Sequence, residues 1–490
     1  MSALVAVLTL PLVAALGVFV VPARLRVPMA LASAAMITGA ALALCVTVAR
    51  GGPVMLMAGG WAPPIGIALR ADGLAAALII MTALVMGAVT CAAWFEASPA
   101  RAGPRMAFGF WPLMLLLWGA LNAVYLSRDL FNLYVGLELI SLAAVALAAL
   151  SGTAQAFAAA LRYMIFALAG SLLYLAGVVL AYAAHGTLDI GLLTARTPAQ
   201  GDALALGLMT AGLLAKTALF PFHVWLPPAH ASAPAPASAL LSALVPKASF
   251  LILMRLWFEA MPDLATPAAL LALAVPGAAA VLWGGVLALV QKRLKLIIAY
   301  STVAQLGYMF LVFPLAGGGG AAQPWAAGAW TGAVFHALSH GLAKAAMFLA
   351  AGIYIAAVGS DRLGDLRGLA RALPMTGFAF ALAAITLMGL PPSGGFTAKY
   401  LLMTSAFAAG QWPWALLLAG GGLLAAGYFY RPMVALFARD ARVPLLRSIP
   451  RAWQSVPLVL AVLSIMLGLL SATPFDLLQV GRPPPASEGL

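Results

Sequence analysis

Charged residues are scarce in this chain: they make up 8% of its 490 residues, against 64% hydrophobic residues. About a quarter of an ordinary soluble protein is charged, so this composition excludes a water-soluble protein and indicates an all-α polytopic membrane protein. The longest polar stretches, near 96–105 and 361–371, are too short to enclose a core of their own. We therefore expect a single membrane domain over 1–490.

Cysteine is nearly absent as well, since Cys45 and Cys91 are the only two. Both lie in apolar stretches with no CxxC motif or Cys/His cluster around them, which is typical of core packing. No GxxxxGK[ST] motif occurs, and no GxGxxG follows a strand pattern. The sequence therefore predicts no cofactor, no nucleotide site and no redox centre in this chain.

The chain has long apolar runs instead. Windows of roughly 20 apolar residues predict about fourteen transmembrane helices. They lie near 3–22, 28–49, 73–95, 107–126, 130–150, 161–183, 203–222, 236–257, 267–290, 294–315, 327–356, 375–409, 412–435 and 454–472. The first run starts directly after Met1 with no basic leader, which favours a retained helix over a cleaved signal peptide.

Basic residues are distributed unevenly between the loops that these spans predict. Sixteen Lys and Arg residues follow or border the odd-numbered spans, whereas six border the even-numbered ones. Because Lys and Arg collect in cytoplasmic loops, both termini are predicted on the outer face of a bacterial inner membrane. This bias, with attraction to anionic lipid headgroups, explains the net charge of +13 without a nucleic-acid partner.

Some charges nevertheless lie inside the predicted spans: Glu138, Lys216, Lys247, Lys344 and Lys399. Each ionised group near the bilayer centre costs about 3 kcal/mol on insertion scales. A membrane protein that only had to fold would have leucine at such positions. These residues are therefore candidates for function.

Glu138 lies in the fifth predicted span and Lys216 in the seventh. Glu138 lies between two and three turns into its span, and its alternative roles are a protonated core carboxyl or a structural partner of an arginine. Lys216 is followed five residues later by Pro221, which predicts a helix interruption just past the lysine. The alternative for Lys216 is that its side chain extends to the lipid headgroups.

Lys247 lies near the middle of its span and follows Pro246 directly. The proline removes one backbone hydrogen bond within a turn of the charge, so the sequence predicts a kink with a polar pocket. The central position makes escape of the ammonium group to the headgroups more difficult than at Lys216.

His336, His340 and Lys344 are spaced four residues apart on one predicted helix. Over these eight residues the direction drifts by only about 80° while the helix rises about 12 Å, so the three form a polar stripe. Histidine titrates near neutrality, so such a stripe can carry protons by exchange with ordered water. A purely structural stripe, bonded to neighbouring helices, is the alternative.

Two histidines four residues apart also resemble half of a zinc site. Catalytic zinc usually takes three protein ligands. The spans contain no cysteine cluster, and Glu138 is the only acid predicted deep within them. We therefore predict no metal site.

The segment LMGLPPSGGFTAKY should break a helix at Pro391 and Pro392, shortly before Lys399. Broken helices at membrane depth occur where protein or a water-filled cavity satisfies the backbone. The breaks near Pro221 and Pro391 fall in comparable positions of the two halves of the chain. Paired interruptions of this kind indicate an inverted repeat of the transporter type.

The combined motifs resemble a known family. The segments DLFNLYVGLELISL, KTALFPFHVWLPPAHASAPAPASALLSALVPK, KRLKLIIAYSTVAQLGYM, HALSHGLAKAAMFL and LPPSGGFTAK are similar to the antiporter-like subunits of Mrp sodium/proton antiporters, respiratory complex I and membrane-bound hydrogenases. The resemblance covers about residues 70 to 440.

This resemblance implies about fourteen helices with two inverted five-helix repeats. The implied division is N-terminal helices at 1–106, a first repeat at 107–257, a second repeat at 267–435, and a C-terminal helix and tail at 454–490. It also implies that protons move along a central axis, with Glu138 and Lys216 as the glutamate-lysine pair and Lys247 as the connecting lysine. His336, His340 and Lys344 would form the bridge, and Lys399 the terminal group.

The chain departs from the family pattern at two positions. Many relatives have histidine where Ser242 stands and an apolar residue where Pro246 stands, so the details of the central relay are open. The chain length disfavours the largest complex I paralogue, and Lys399 in place of glutamate disfavours the middle one. The prediction is a D-type subunit of an Mrp antiporter, with a complex I or hydrogenase membrane-arm subunit as the alternative.

We hypothesise that Glu138 alternates between pairing with Lys216 and separating from it. This alternation would drive a proton through Lys247 and the stripe towards Lys399. The chain is then a transporter subunit that depends on other membrane subunits for its energy and, in a sodium exchanger, for the sodium site. A non-conducting scaffold and an independent solute carrier are the alternatives from other classes.

Overall fold

Helices account for almost the whole of the described chain, as the composition predicts. The computed structural model describes residues 2–96, 103–317, 324–439 and 445–482. The α-helices in these residues are α1 (Ala3–Val20), α2 (Ala23–Gly51), α3 (Gly73–Glu96), α4 (Pro104–Leu126), α5 (Leu130–Ala149), α6 (Ala154–His185), α7 (Ile190–Thr194), α8 (Asp202–Thr217), α9 (Leu226–Ser232), α10 (Ala235–Ala243), α11 (Val245–Arg255), α12 (Pro267–Val290), α13 (Leu294–Met309), α14 (Val312–Ala316), α15 (Pro324–Val358), α16 (Leu369–Ala372), α17 (Pro374–Met388), α18 (Gly394–Ala408), α19 (Trp412–Leu436), α20 (Arg451–Leu469) and α21 (Ala472–Gln479). Strands β1 (Val54–Met57) and β2 (Ala68–Ala71) pair antiparallel. The prediction of an all-α polytopic fold is confirmed, with a small hairpin in addition.

Thirteen helical segments of the described residues are long and apolar enough to cross a membrane. They correspond to thirteen of the fourteen predicted spans. The remaining predicted span, 375–409, consists of two shorter helices, α17 and α18, with a break between them. The predicted count is therefore reached when α17 and α18 are taken together as one discontinuous crossing.

The first predicted helix break lies where the sequence places it, next to Pro221. Helix α8 ends at Thr217, and Ala218 adopts a left-handed conformation with φ 58°. The chain then continues as a 3₁₀-helix at Phe222–Trp225 and as α9. A proline supplies no backbone N–H, and a non-glycine residue with positive φ is uncommon, so both features oppose a continuous helix here.

The second break separates α10 from α11 at Leu244, which has φ −118° and ψ −50°. Pro246 occupies the first turn of α11. The first turn is where a helix tolerates proline, because the N–H groups there have no partner within the helix. At the predicted kink, one short helix, α10, ends and the next, α11, begins.

The third break lies between α17 and α18. Helix α17 ends before Gly389, whose φ of 83° is readily available only to glycine. Helix α18 begins after Ser393, whose hydroxyl accepts the backbone N–H of Phe396 at 3.1 Å. Pro391 and Pro392 lie between the two helices, as predicted. Their connecting peptide bond is cis, and so is the bond before Pro221.

The described loops contact one another in two groups, which define two faces of the molecule. On the first, the sparse face, the backbone N–H of Arg128 donates to the Ala68 carbonyl of the β1–β2 hairpin. The N–H of Gly73, at the start of α3, donates to the carbonyl of Val480 on the same face. On the other, the basic face, the N–H of Leu294 donates to the carbonyl of Asp361. This grouping agrees with the alternation of loops predicted from the basic residues.

Helix α15 is the longest helix of the described chain, with 35 residues, and lies at its centre. It packs against α3, α10, α13, α17, α18 and α20. A side chain at Gly332 would meet the carbonyl oxygen of Ala398 at 3.0 Å, so the close approach of α15 to α18 depends on this glycine. The continuous helix α15 therefore lies between the broken helices and carries the predicted polar stripe past them.

Candidate functional site

Glu138 and Lys216 form an ion pair inside the protein, as the motif resemblance implies. Their Oε1 and Nζ atoms are 3.2 Å apart. The side chain of Lys216 is 5% exposed, so its ammonium group does not extend to the headgroups. It also donates to the hydroxyl of Ser141 at 2.8 Å, and Ser171 donates to the Glu138 carboxylate. The side chain of Glu138 is 23% exposed, so it lies at the edge of the protein interior.

Lys216 is placed by the end of its helix. It occupies the last turn of α8, where the unpaired carbonyl groups and the helix dipole favour a positive charge. Glu138 approaches it from α5, which begins at the cap formed by Asp129. The interruption at Pro221 therefore has a direct electrostatic effect, because it ends the helix next to the ammonium group.

Lys247 is fully buried and is held by two acceptors. Its ammonium group donates to the carbonyl of Ser242 at 2.8 Å and to Nδ1 of His340 at 2.7 Å. In an α-helix the carbonyl of Ser242 would accept the N–H of the residue four positions later, and that residue is Pro246. The proline frees this carbonyl, and Lys247 binds it. The departure from the family pattern at Pro246 thus supplies an acceptor for the neighbouring lysine.

Lys399 is held in the same way. Its ammonium group donates to the carbonyls of Leu387 at 3.1 Å and Met388 at 3.0 Å. The residues four positions after these two are Pro391 and Pro392, so neither carbonyl has a helical N–H to accept. The helix break therefore supplies both backbone acceptors, and no carboxylate contacts this lysine among the described residues.

The polar stripe on α15 is buried along its length. His336, His340 and Lys344 are each at most 1% exposed. The centroids of the two imidazole rings are 6.0 Å apart. Lys344 donates to the carbonyl of Ile298 at 2.9 Å and to the hydroxyl of Ser301. The ring nitrogens His336 Nδ1 and His340 Nε2 have no hydrogen-bond partner within the described chain, and ordered water is the partner that such buried groups usually take.

Gln305 and Tyr308 connect the stripe to Lys399, and the sequence analysis missed both. The backbone carbonyl of Gln305 lies 3.1 Å from Nε2 of His336, and its side-chain amide donates to the carbonyl of Leu387, which Lys399 also binds. The Tyr308 ring lies edge-on to His336 and 4.6 Å from the ammonium group of Lys399. Both residues belong to the segment KRLKLIIAYSTVAQLGYM, but neither is charged, so the search for buried charges did not find them.

The structure joins Glu138 to Lys216 by an ion pair, and it joins Lys247, His340, His336 and Lys399 through direct contacts and through Tyr308. We call the seven predicted residues the axis: Glu138, Lys216, Lys247, His336, His340, Lys344 and Lys399. Its middle and distal parts are linked by the contacts of α15 and α13. The hydrogen bonds of Lys216 go to α5, whereas those of Lys247 go to α10 and α15. A proton that moves between these two lysines therefore needs water or side-chain motion.

A second cluster of buried charges lies on the sparse face, and the sequence analysis missed it. Arg255 is 2.7 Å from Asp72, and Arg128 is 2.6 Å from Glu259. Glu259 also contacts Arg255, so the four side chains form one network, the charge quartet. Burial alone would raise the pKa of Asp72, but the adjacent Arg255 guanidinium holds it below its usual range. Within the described residues Glu138 is the only acid in the middle of a span, but Asp72 and Glu259 are more deeply buried than it is.

No group of three or more His, Cys, Asp and Glu residues in the described parts of the chain is arranged to hold a metal ion. His340, half of the suspected zinc pair, faces the ammonium group of Lys247 through Nδ1. A metal ion at that nitrogen would have to displace a cation. Nδ1 of His340 is therefore not suited to bind a metal ion.

The chain is similar in sequence and in structure to known membrane subunits. The family model described as NADH:quinone oxidoreductase/Mrp antiporter, TM matches residues 127–426, a segment that contains all seven residues of the axis. The chain is 39% identical over 408 residues to the N subunit of the NADH-quinone oxidoreductase of Desulforudis audaxviator, covering 82% of this chain and 78% of that protein. It is 31% identical over 372 residues to the D subunit of the Na(+)/H(+) antiporter of Alkalihalophilus pseudofirmus, covering 74% of this chain and 72% of that protein. Among solved structures, a chain of the Mrp complex from Dietzia sp. is similar with a TM-score of 0.89 and 27% identity, covering 99% of this chain and 97% of that chain.

Proposed function

This chain belongs to the NADH:quinone oxidoreductase/Mrp antiporter family of transmembrane subunits, and we propose that it conducts protons along its buried axis. It is a multi-pass membrane protein whose relatives are subunits of multi-subunit complexes. The proposed direction of movement along the axis is from Glu138 and Lys216, through Lys247 and the stripe on α15, to Lys399.

The contact between Lys247 and His340 is the observation that carries this proposal. Two nitrogen bases lie 2.7 Å apart with no exposure to solvent. If both were protonated, their repulsion would cost about 6 kcal/mol at an effective dielectric constant of 20. At most one of the two bases therefore carries an extra proton at a time, and over this distance that proton can pass from Lys247 to the stripe. A contact that served only to stabilise the fold would not need two titratable bases.

The pair Glu138–Lys216 supplies the switch in this proposal. At 3.2 Å the attraction is about 5 kcal/mol at the same dielectric constant, before screening by solvent at the partly exposed carboxylate. When Glu138 moves away, Lys216 loses this attraction and releases a proton more readily towards Lys247. When Glu138 returns, Lys216 takes up the next proton.

Partner subunits supply the energy in this proposal. The relative from Desulforudis audaxviator is by name a subunit of an NADH-quinone oxidoreductase, and the one from Alkalihalophilus pseudofirmus a subunit of a Na(+)/H(+) antiporter. We propose that a redox partner or a counter-moving sodium ion drives Glu138, with any sodium site on another subunit. We also propose a bacterial inner membrane with both termini on the outer face.

The predicted preference for the D-type subunit of an Mrp antiporter is not specifically supported. Of the two relatives, the N subunit of complex I has the higher identity, whereas the Mrp complex is similar in structure over nearly the whole chain. Cation-dependent fluorescence quenching in vesicles that contain the whole complex would separate the two parents. Quenching driven by sodium without an electron donor supports the Mrp type, and quenching that requires NADH supports the complex I type.

The division into repeats is also part of the proposal. We propose that 107–257 and 267–435 are inverted repeats, with 1–106 and 454–490 outside them. The support is that each proposed half contains a helix interrupted by proline next to a buried lysine, at Lys216 and at Lys399.

Replacement of Lys216 by alanine tests the proposed function. We expect loss of proton transport in vesicles with normal assembly of the complex, because the first lysine of the axis is gone. The matched control is Lys292→Ala, which removes an exposed lysine of the basic face outside the axis. Normal transport by the Lys216→Ala complex would contradict the proposal.

A further inference from the structure

A large cavity on the basic face contains none of the seven axis residues. Its volume is about 980 Å³, and it opens between the ends of α3, α5, α9 and α15 and the starts of α4, α10 and α13. Charged side chains of both signs line it, among them Glu96, Arg105, Arg293, Lys295 and Asp361. Such a lining is suited to water, which can bring protons to the cavity floor.

Lys295 lies at the inner side of this cavity. It is 5% exposed, and its ammonium group donates to the backbone carbonyl of Ala233 at 2.5 Å. Glu96 lies close enough to interact with it electrostatically. Ala233 lies in the short connection between α9 and α10, so its carbonyl is not needed within either helix. Lys295 is therefore a buried cation on the border between the cavity and the protein interior.

His230 lies directly behind this border. It precedes Ala233 by three residues on α9, is 1% exposed, and stacks on Phe348 of α15 at 4.9 Å. Its Nδ1 atom has no hydrogen-bond partner among the described residues. A buried imidazole nitrogen of this kind needs a proton donor or acceptor nearby.

The charges around His230 come from both sides. Lys295 lies on its cavity side, and Lys247 and Lys344 of the axis are also close enough to interact with it electrostatically. Neither the Glu138–Lys216 pair nor Lys399 is among these neighbours. Because Phe348 lies one helical turn past Lys344 on α15, the stacking places His230 between the cavity and the Lys344 end of the stripe.

We propose that Lys295 and His230 form a proton inlet from the basic-face cavity to the middle of the axis. The inference rests on the proposed proton conduction. The Lys295 ammonium gives a proton to Nδ1 of His230, and His230 passes the proton of its other ring nitrogen on to Lys344 or Lys247 when that lysine is a neutral amine. Water in the cavity then restores the proton on Lys295. Each group returns to its starting state when the next proton arrives.

The first test measures proton transport by complexes that contain Lys295→Met. We expect at least a tenfold lower rate, because methionine keeps most of the side-chain volume but cannot carry a proton. The control is Lys292→Met, three residues away on the same face and exposed, for which we expect the wild-type rate. A wild-type rate with Lys295→Met would overturn the inlet.

The second test does not depend on tolerance of a buried substitution. Ser232 lines the cavity, so Ser232→Cys in a background of Cys45→Ala and Cys91→Ala offers one thiol there. The purified complex is labelled with a bulky, charged thiol reagent and reconstituted. We expect labelling and a loss of most transport, whereas labelling of Lys292→Cys leaves transport unchanged.

Two results of the second test would overturn the inlet: failure of Ser232→Cys to react, or full transport after complete labelling. The Lys216→Ala variant separates the two proposals. If Lys216→Ala abolishes transport and the inlet variants do not affect it, conduction along the axis stands and the inlet is wrong. If Lys216→Ala transports normally, the proposed function itself is wrong.

Discussion

The two proline-interrupted crossings at either end of the axis hold their lysines in different ways. Lys216 is paired with Glu138, a side chain that can change both its charge and its position. Lys399 is bound by the backbone carbonyls of Leu387 and Met388, which can do neither. Lys247 resembles Lys399 in binding a carbonyl that a proline frees. In the proposed mechanism, this difference assigns control to the Glu138 end and makes the other lysines proton carriers with fixed positions.

The largest effect should come from removing the mobile partner. We expect Glu138→Gln to lower proton transport at least tenfold, because glutamine can still hydrogen-bond Lys216 but cannot attract it as an anion. Transport in vesicles and assembly of the complex are the measurements. Glu138→Asp is the control that keeps the charge, and it should retain more activity than glutamine. Equal transport rates of the Glu138→Gln and wild-type complexes would contradict the proposal that the charge of Glu138 controls transport.

A smaller loss of proton transport is expected when backbone N–H groups are restored four residues after the carbonyls that bind Lys399. The double change Pro391→Ala with Pro392→Ala supplies two N–H groups that can compete for Leu387 and Met388. We expect a several-fold lower transport rate.

The matched control for these prolines is Pro267→Ala. Pro267 lies in the first turn of α12, where its missing N–H has no helical acceptor. The control complex should transport as the wild type does. A full rate in the double variant would show that freed carbonyls are not needed at Lys399.

A still smaller loss is expected for Pro246→Ala. The new N–H can compete for one acceptor, the carbonyl of Ser242, but His340 continues to bind Lys247. We expect about a twofold decrease in rate, measured in the same vesicles. A decrease as large as that of Glu138→Gln would show that the contacts of Lys247 also control the transport rate, and that Lys247 does more than carry the proton.

The smallest effect on transport is expected at the charge quartet, which is also built from buried ion pairs. Asp72→Asn leaves Arg255 without its closest carboxylate, and breaking such a pair typically costs about 3–5 kcal/mol of stability. We expect a lower thermal unfolding temperature and an unchanged transport rate per assembled complex. The control Asp263→Asn affects a half-exposed partner of Arg196 and should change stability by at most about 1 kcal/mol.

The pH dependence of this stability difference follows from the lowered pKa of Asp72. A carboxylate with a depressed pKa in the folded state stabilises the fold fully above the ordinary range of aspartate. This stabilisation is lost as the pH falls below that range. The difference between wild type and Asp72→Asn should therefore stay constant from about pH 8 to pH 5 and shrink only below about pH 4. A difference that shrinks near neutrality would contradict the assignment of Arg255 as the controlling partner.

The sequence predicted the helical spans and the three breaks because these depend on local properties. A run of apolar residues and a proline act wherever they occur in the chain. The buried lysines could be found for the same reason, since a charge in an apolar run is visible without a structure. The role of Pro246 cannot be read from the sequence, because the kink decides which carbonyl the proline frees and which side chain binds that carbonyl.

Other parts of the site depend on contacts between distant segments. Gln305 and Tyr308 carry no charge and acquire their place only when α13 packs beside α15 and α17. The quartet combines Asp72, Arg128 and the i, i+4 pair Arg255 and Glu259, which come from three segments well separated in the sequence, so no spacing indicates the whole network. His230 lies in a motif that the sequence analysis used only for the family resemblance. Its place between the cavity and the axis depends on how α9 packs against α15.

Because Lys399 is bound by backbone carbonyls, its binding site should be insensitive to most mutations of the residues that contact it. Every amino acid provides a backbone carbonyl, so no single replacement at Leu387 or Met388 deletes an acceptor. Glu138, in contrast, is lost by any replacement that is not acidic. A substitution at Leu387 or Met388 should therefore leave the acceptors of Lys399 in place, whereas a substitution at Pro391 or Pro392 should not leave them free. We expect natural variants with altered transport to cluster at these prolines and at Glu138.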